Sequence, residues 1–263
     1  MPIFSKPALR SKPGLRTEKL IAENEKLHAV VANMFPEAVV EELMAGGKIS
    51  RLKHDSVTVM FSDICGFSAI AQGMEPETLI DELDKLFLVF DSVVEKHGIE
   101  KIKTIGDAYM CAGGIFDAGS GMASAIATVL AAIEMTEHVR RLKENGNNSR
   151  IKPWDIRIGI HTGAVMAGTM GQKRISYDIW GDTVNTASHM ESLSEAGKIN
   201  ISGATFKLVN DFFDCTCRGK IPVKYRGELE MYFVNGIKPE LCDSSGMPNG
   251  MFHEKLSMPG MNG

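Results

Sequence analysis

The sequence predicts an α+β fold: a central, mostly antiparallel sheet flanked by helices, with one further helix ahead of it. Three observations predict it. Short apolar, β-branched runs recur at 57–61, 99–105, 108–113 and 154–168. Longer stretches with helical spacing lie among them, at 76–96, 121–143 and 182–193. Two of the strand runs are separated only by Gly106-Asp107, a turn that makes its strands antiparallel neighbours.

The elements follow in order. Residues 1–15 carry Pro2, Pro7, Pro13 and Gly14 among basic residues, and are expected to form a flexible leader. Leu20, Asn24, Leu27, Val31 and Met34 alternate spacings of four and three, the a/d seam of a short coiled coil. Asn24 at an a-like position favours two strands. The same run fits an amphipathic helix folded onto its own domain, and so short a seam leaves both readings open. Residues 16–47 are thus a coiled-coil or linker helix region. Its second short helix, over 36–44, is opened by Pro36 and closed by Gly46-Gly47.

The main domain is expected over 48–237. Val57–Phe61 is a strand. Pro76–Lys96 is a helix with Leu79, Leu83, Leu86, Phe87, Phe90 and Val94 on one face, and Gly98 ends it. Ile99–Ile105 and Ala108–Gly113 form a hairpin. A second helix spans about 121–143, and Asn145–Ser149 is a loop. Trp154–Gly168 reads as a strand pair, a third helix runs from Asp182 to Leu193, and strands near 198–201 and 231–234 close the sheet. Two helix–strand units around hairpins point to a sandwich related to the ferredoxin-like arrangement. Residues 238–263 contain Pro, Gly, Ser and Asn without periodicity, and are expected to form a flexible tail.

Composition narrows the function. The 263 residues suit one large domain with an appendage. A net charge of −4 leaves no basic excess for nucleic acid. Cys215-Thr-Cys217 is too tight a pair for a zinc site, and five cysteines without zinc spacing fit a reducing compartment. No apolar run is expected to cross a membrane, and no signal-peptide core opens the chain. Two settings stay open: a cytoplasmic protein, and the cytosolic portion of a larger membrane or sensor protein.

Two aspartates point to the chemistry. Asp63, in Phe61-Ser-Asp63-Ile-Cys-Gly, and Asp107, in Lys103-Thr-Ile-Gly-Asp107, each follow an apolar β-rich run beside a glycine. An ionised carboxylate in a partly dry position needs a partner. Two of them at neighbouring strand ends would make an oxygen site for Mg²⁺ that leaves room for substrate phosphates. Taken singly, either is equally a turn residue or a helix cap.

Four ordered motifs extend this reading: Phe61-Ser-Asp63-Ile-Cys-Gly-Phe67, Ile102-Lys103-Thr-Ile-Gly-Asp107-Ala-Tyr-Met110, Arg157-Ile-Gly-Ile-His-Thr-Gly163 and Tyr177-Asp178-Ile-Trp-Gly-Asp-Thr-Val-Asn185-Thr-Ala-Ser188. Over about 36–236 the set resembles the catalytic domain of the class III nucleotide cyclases. The preceding helix is similar to the signalling coiled coil that often precedes that domain. The resemblance implies a homodimer, head to tail, whose active sites are shared between subunits. It implies two Mg²⁺ or Mn²⁺ ions held by Asp63, Asp107 and the carbonyl of Ile64. The turn at Gly66 and Phe67 would offer N–H groups to phosphates. The product would be a 3′,5′-cyclic nucleotide, with an upstream sensor as the expected partner.

The family's two purine-selecting positions fall on Lys103 and Asp178. Lys103 can donate to adenine N1, and Asp178 can accept from the 6-amino group. Guanine reverses both, so the pair reads ATP. Guanylyl cyclases resemble Glu and Cys there, and a guanylyl cyclase using GTP is the alternative. Asn185 would orient the ribose. His189 stands where the family usually has arginine, a weaker and only partly charged donor. This leaves a second alternative, a weakly active or regulatory domain. Lys224, with Arg226 second, would contact pyrophosphate. His161 reads as a structural histidine rather than a base.

Overall fold

The computed structural model describes residues 13–45, 51–116, 121–144, 154–171 and 173–258. Contacts divide the chain into two units, Met1–Ser50 and Arg51–Gly263.

In the first unit, α1 (Pro13–Ala32) and α2 (Glu37–Met44) are helical. Pro13 lies inside the segment expected as a flexible leader, yet it opens α1. Its fixed φ suits a first helical position, where the missing N–H costs no bond. Leu20 and Leu27 are exposed along α1. Met34 lies beyond the end of the helix, so the seam is one position shorter than its spacing implies. The Gly46-Gly47 stop lies outside the described residues, as does the Asn145–Ser149 loop.

In the second unit the strands are β1 (Leu52–Ile64), β2 (Glu100–Ile105), β3 (Ala108–Gly113), β4 (Ile156–Met170), β5 (Ser176–Trp180), β6 (Ile199–Ser202), β7 (Phe213–Val223) and β8 (Gly227–Ile237). They form one sheet in the order β2-β3-β1-β4-β6-β8-β7, with β5 on β4. Every pairing is antiparallel except β4 with β6. The predicted α+β class and its mostly antiparallel sheet hold. The run 154–168 is a single long strand rather than a pair. Its partner β5 is short and follows Gly171, which takes φ +99°.

The helices are α3 (Phe67–Gln72), α4 (Pro76–Lys96), α5 (Gly121–Glu144), α6 (Asp182–Ser192), α7 (Gly203–Val209) and α8 (Gly250–Leu256). Pro76 opens α4, and its Phe90, Val93 and Val94 pack into the main core with Tyr109, Met135, Ile158 and Ile160. Burying one such side chain contributes about 1.5–3 kcal/mol. By length and composition alone α5 could cross a bilayer, contrary to the sequence expectation. In this fold half of its apolar window is buried, so it is a central core helix.

The expected flexible tail is folded over 239–258. Asn249 caps α8 by accepting from the Phe252 N–H, and Phe252 is fully buried against Phe212 and Phe213. Leu241 is buried in the same core, with Cys242 and Leu256 packed against it; a few scattered anchors without regular spacing escape a reading by periodicity.

Candidate active site

β1 pairs with both β3 and β4, placing Ser62 opposite Tyr109 and Asp63 opposite Arg157. That register sets the end of β1 beside the β2–β3 turn. Gly106 there takes φ +63°, which glycine adopts freely, and the turn delivers Asp107 to Asp63. The Asp63 carboxyl and the N–H groups of Ile64 and Asp107 all reach the Asp107 carboxyl. Burial, then the charge of Asp63, holds Asp107 above the usual carboxylate range, while the two N–H groups oppose the shift.

Two facing carboxylates call for positive charge. Arg157 supplies some: its Nη2 donates to Asp63 Oδ2 at 2.6 Å and its Nε to Glu191 Oε1 at 2.5 Å. Burial pushes Glu191 up to about 7, although Arg157 pulls the other way. Glu191 reaches this cluster because α6 packs directly on β4. A Cβ on Gly159 would lie 1.8 Å from the Glu191 nitrogen, so only glycine permits that approach.

Among the described residues no three His, Cys, Asp or Glu side chains cluster as metal ligands. Asp63, Asp107 and the Ile64 carbonyl form a sparse set of hard oxygen donors. Such a set fits Mg²⁺ or Mn²⁺, which keep waters and phosphate oxygens in their shells, better than zinc. Next to it, Gly66 takes φ +73° and turns the chain into α3, whose first N–H groups lack intrahelical partners. The Phe67 ring packs edge-on against Trp154 at 6.3 Å, leaving only its backbone for a ligand.

A second cluster joins β2 and β5. Lys103 Nζ donates to Asp178 Oδ2 at 2.5 Å, and Asp178 Oδ1 accepts from the Ile179 N–H at 2.9 Å. One cationic donor and one anionic acceptor thus lie side by side.

The third cluster is a groove of about 660 Å³ between α6 and the β7–β8 turn. Asn185 and His189, one helical turn apart on α6, line it with Ser188, Lys224, Tyr225 and Arg226. Among the described residues the His189 ring has no hydrogen-bond partner. Glu191, its neighbour in sequence, is taken by Arg157. Arg226 is already engaged. It donates to Thr186 Oγ1 and to Asp182 Oδ2, both at 2.6 Å, and again to Asp182 Oδ1. It therefore ties the turn to the start of α6, whereas no carboxylate among the described residues pairs with Lys224. Asp63, Asp107, Lys103 and Asp178 do not line this groove.

His161 does not line the groove, although Asp182 and Arg226 of that cluster lie close enough to act on its charge. Its Nδ1 lies 2.7 Å from Ser202 Oγ, and burial pulls its imidazole down to about 4. Arg157, Glu191 and Tyr225 were not singled out by the sequence reading. Arg157 lies within one of the quoted motifs, but its meeting with Asp63 depends on the β1–β4 register.

The family model for the adenylate and guanylate cyclase catalytic domain matches residues 49–236. An adenylate cyclase of Mycobacterium bovis is 37% identical over 218 residues, covering 82% of this chain and 48% of the relative. The chain thus spans about half the length of that relative. The adenylyl cyclase CyaB of P. aeruginosa superposes with a TM-score of 0.68 at 33% identity, covering 74% of this chain and 100% of that one. The guanylate cyclase domain of RhGC from Catenaria anguillulae, solved with GTP, gives 0.64 at 32% identity, covering 71% and 100%.

Proposed function

Because the chain belongs to the adenylate and guanylate cyclase catalytic domain family, we propose that it converts ATP to 3′,5′-cyclic AMP and pyrophosphate. The observation that carries the choice of ATP is the Lys103–Asp178 pair. Lys103 donates to adenine N1 and Asp178 accepts from the 6-amino group. Guanine would set donor against donor and acceptor against acceptor, and unpaired polar groups in a closed site are rejected strongly.

Asp63, Asp107 and the Ile64 carbonyl would hold Mg²⁺ or Mn²⁺, two ions per site. Bound there, the metal would lower the pKa of the ribose 3′-hydroxyl and neutralise phosphate charge. The remaining roles belong to side chains. Asn185 orients the ribose, His189 donates to the α-phosphoryl oxygens, and Lys224 receives the pyrophosphate end. The 3′-hydroxyl gives its proton to solvent, and its oxygen forms the bond to the α-phosphorus as the bond to the pyrophosphate oxygen breaks. Arg226 fixes the turn that carries Lys224.

The separation of the carboxylate cluster from the groove supports a shared site. Each subunit would contribute carboxylates to one site and Asn185, His189 and Lys224 to the other, in a homodimer. All five cysteines are free, which supports a reducing, cytosolic setting.

The test is product analysis: the purified chain with Mn²⁺ and either ATP or GTP, with cyclic products quantified. Cyclic AMP from ATP in large excess over cyclic GMP from GTP is expected. Cyclic GMP as the main product would overturn the choice of base. Neither product would leave a regulatory domain weakened at His189.

A further inference from the structure

Tyr225 is the one non-glycine residue with positive φ among the described residues, at +65°. It sits at the tip of the β7–β8 turn, beside the groove, and is 93% exposed. A bulky residue in the left-handed region is strained, and such strain persists only where the surroundings impose it. Nothing in the core requires this ring. Space does not exclude glycine's neighbours either: Gly227, two residues on, takes φ +73° with nothing within 4 Å of a built Cβ. The turn therefore accepts left-handed backbone, yet places an aromatic side chain where glycine would be unstrained.

Among the described residues the ring has one specific contact. Lys224 Nζ lies 4.9 Å from its centroid, within cation–π range. The cation so held has no carboxylate partner among the described residues. Arg226, on the other side of Tyr225, is locked to Asp182 and Thr186. The turn thus presents one anchored cation and one free cation, with the aromatic ring setting where the free one rests.

We propose that Tyr225 is a positioning residue: its ring holds the Lys224 ammonium at the mouth of the groove, ready for the polyphosphate of a nucleoside triphosphate. This rests on the cyclase reading of the same site. The ring supplies no proton and makes no bond to substrate. It limits the positions of a flexible four-carbon side chain, reducing the ordering that phosphate binding would otherwise require.

Three variants in the full chain test this, with calorimetric titration of inorganic pyrophosphate in the presence of Mn²⁺ and thermal unfolding alongside. Tyr225→Gly removes both ring and strain, so pyrophosphate should bind about two- to fivefold more weakly, the range of an exposed cation–π contact. Its Tm should equal or exceed that of the wild type. Tyr225→Ala, which keeps the strain without the ring, should lose the same affinity with a lower Tm than Tyr225→Gly. Tyr225→Phe should restore wild-type affinity. In turnover assays the loss should fall on KM for the nucleotide, with kcat little changed. Equal pyrophosphate affinity in all four proteins, or a Phe variant as weak as Gly, overturns the role of the ring while leaving cyclase activity intact. A wild type that binds no pyrophosphate and forms no cyclic nucleotide overturns the cyclase reading and this inference together.

Discussion

Arg157 donates to Asp63 across the β1–β4 pair at 2.6 Å, so one of the two facing carboxylates already has a cation from its own chain. Asp107 has no such partner among the described residues and is held above the usual carboxylate range by burial and the Asp63 charge. The two aspartates are therefore not equivalent. A metal arriving here would meet one carboxylate in an ion pair and one pressed by a like charge.

That asymmetry selects Asp107 as the cleaner test of the metal site. Asp107→Asn removes a repelled carboxylate and keeps the shape of the turn. Cyclase activity should fall at least a hundredfold, in line with the loss of a group that holds catalytic charge. The Tm should hold or rise, because no favourable ion pair is lost. Mixing this variant with Asn185→Ala should recover activity, since one of the two shared sites in the mixed dimer is intact. Full activity in Asp107→Asn, or no recovery in a demonstrated heterodimer, would contradict the assignment.

On the proposed reading, the Lys103–Asp178 contact couples the two residues that would select the base. Lys103→Glu alone would oppose two carboxylates and should both lower the Tm and abolish ATP turnover. Adding Asp178→Cys should recover the Tm and shift turnover to GTP. A double-mutant cycle on stability should show a favourable coupling for the native pair, roughly 0.5 kcal/mol or more. Additive effects of the two changes would show that the pair does not act as a unit.

His189 lines the groove from α6 with no ring partner among the described residues, so it can be exchanged without breaking a contact. His189→Arg should raise kcat on the order of tenfold, below the 10³–10⁵ supplied by arginine fingers elsewhere, and leave KM nearly constant. An unchanged kcat would remove His189 from the reaction.

His161 gives a stability test independent of catalysis. Burial lowers its pKa to about 4, with Arg226 adding to the shift and Asp182 opposing it. As pH falls from about 6.5 toward 4, the unfolded chain binds a proton that the folded chain refuses. Stability should therefore drop through that window, by about 3 kcal/mol at most. His161→Gln should flatten this part of the pH profile in urea titrations. An identical slope in wild type and variant would place the proton elsewhere.

Local patterns in the sequence determined much of the domain by themselves. Pro76 at the start of α4, the Gly106-Asp107 turn, and the apolar faces of α5 and α6 are short-range features, so spacing and turn chemistry disclose them. Asp63, Asp107, Lys103 and Asp178 could be singled out as candidates because each lies in a short quoted motif. The tertiary structure decided what no short window contains. Strand register brought Arg157 to Asp63, close packing at Gly159 brought Glu191 to Arg157, and the buried Leu241 and Phe252 ordered a segment without periodicity. It also engaged Arg226 with Asp182, left Lys224 to Tyr225, and kept the carboxylates out of the groove that holds Asn185 and His189. The Arg157–Asp63, Arg157–Glu191, Phe252–Phe212 and Arg226–Asp182 contacts all join residues far apart in the chain. Such contacts depend on strand order and helix packing, which hydrophobic periodicity constrains only in part.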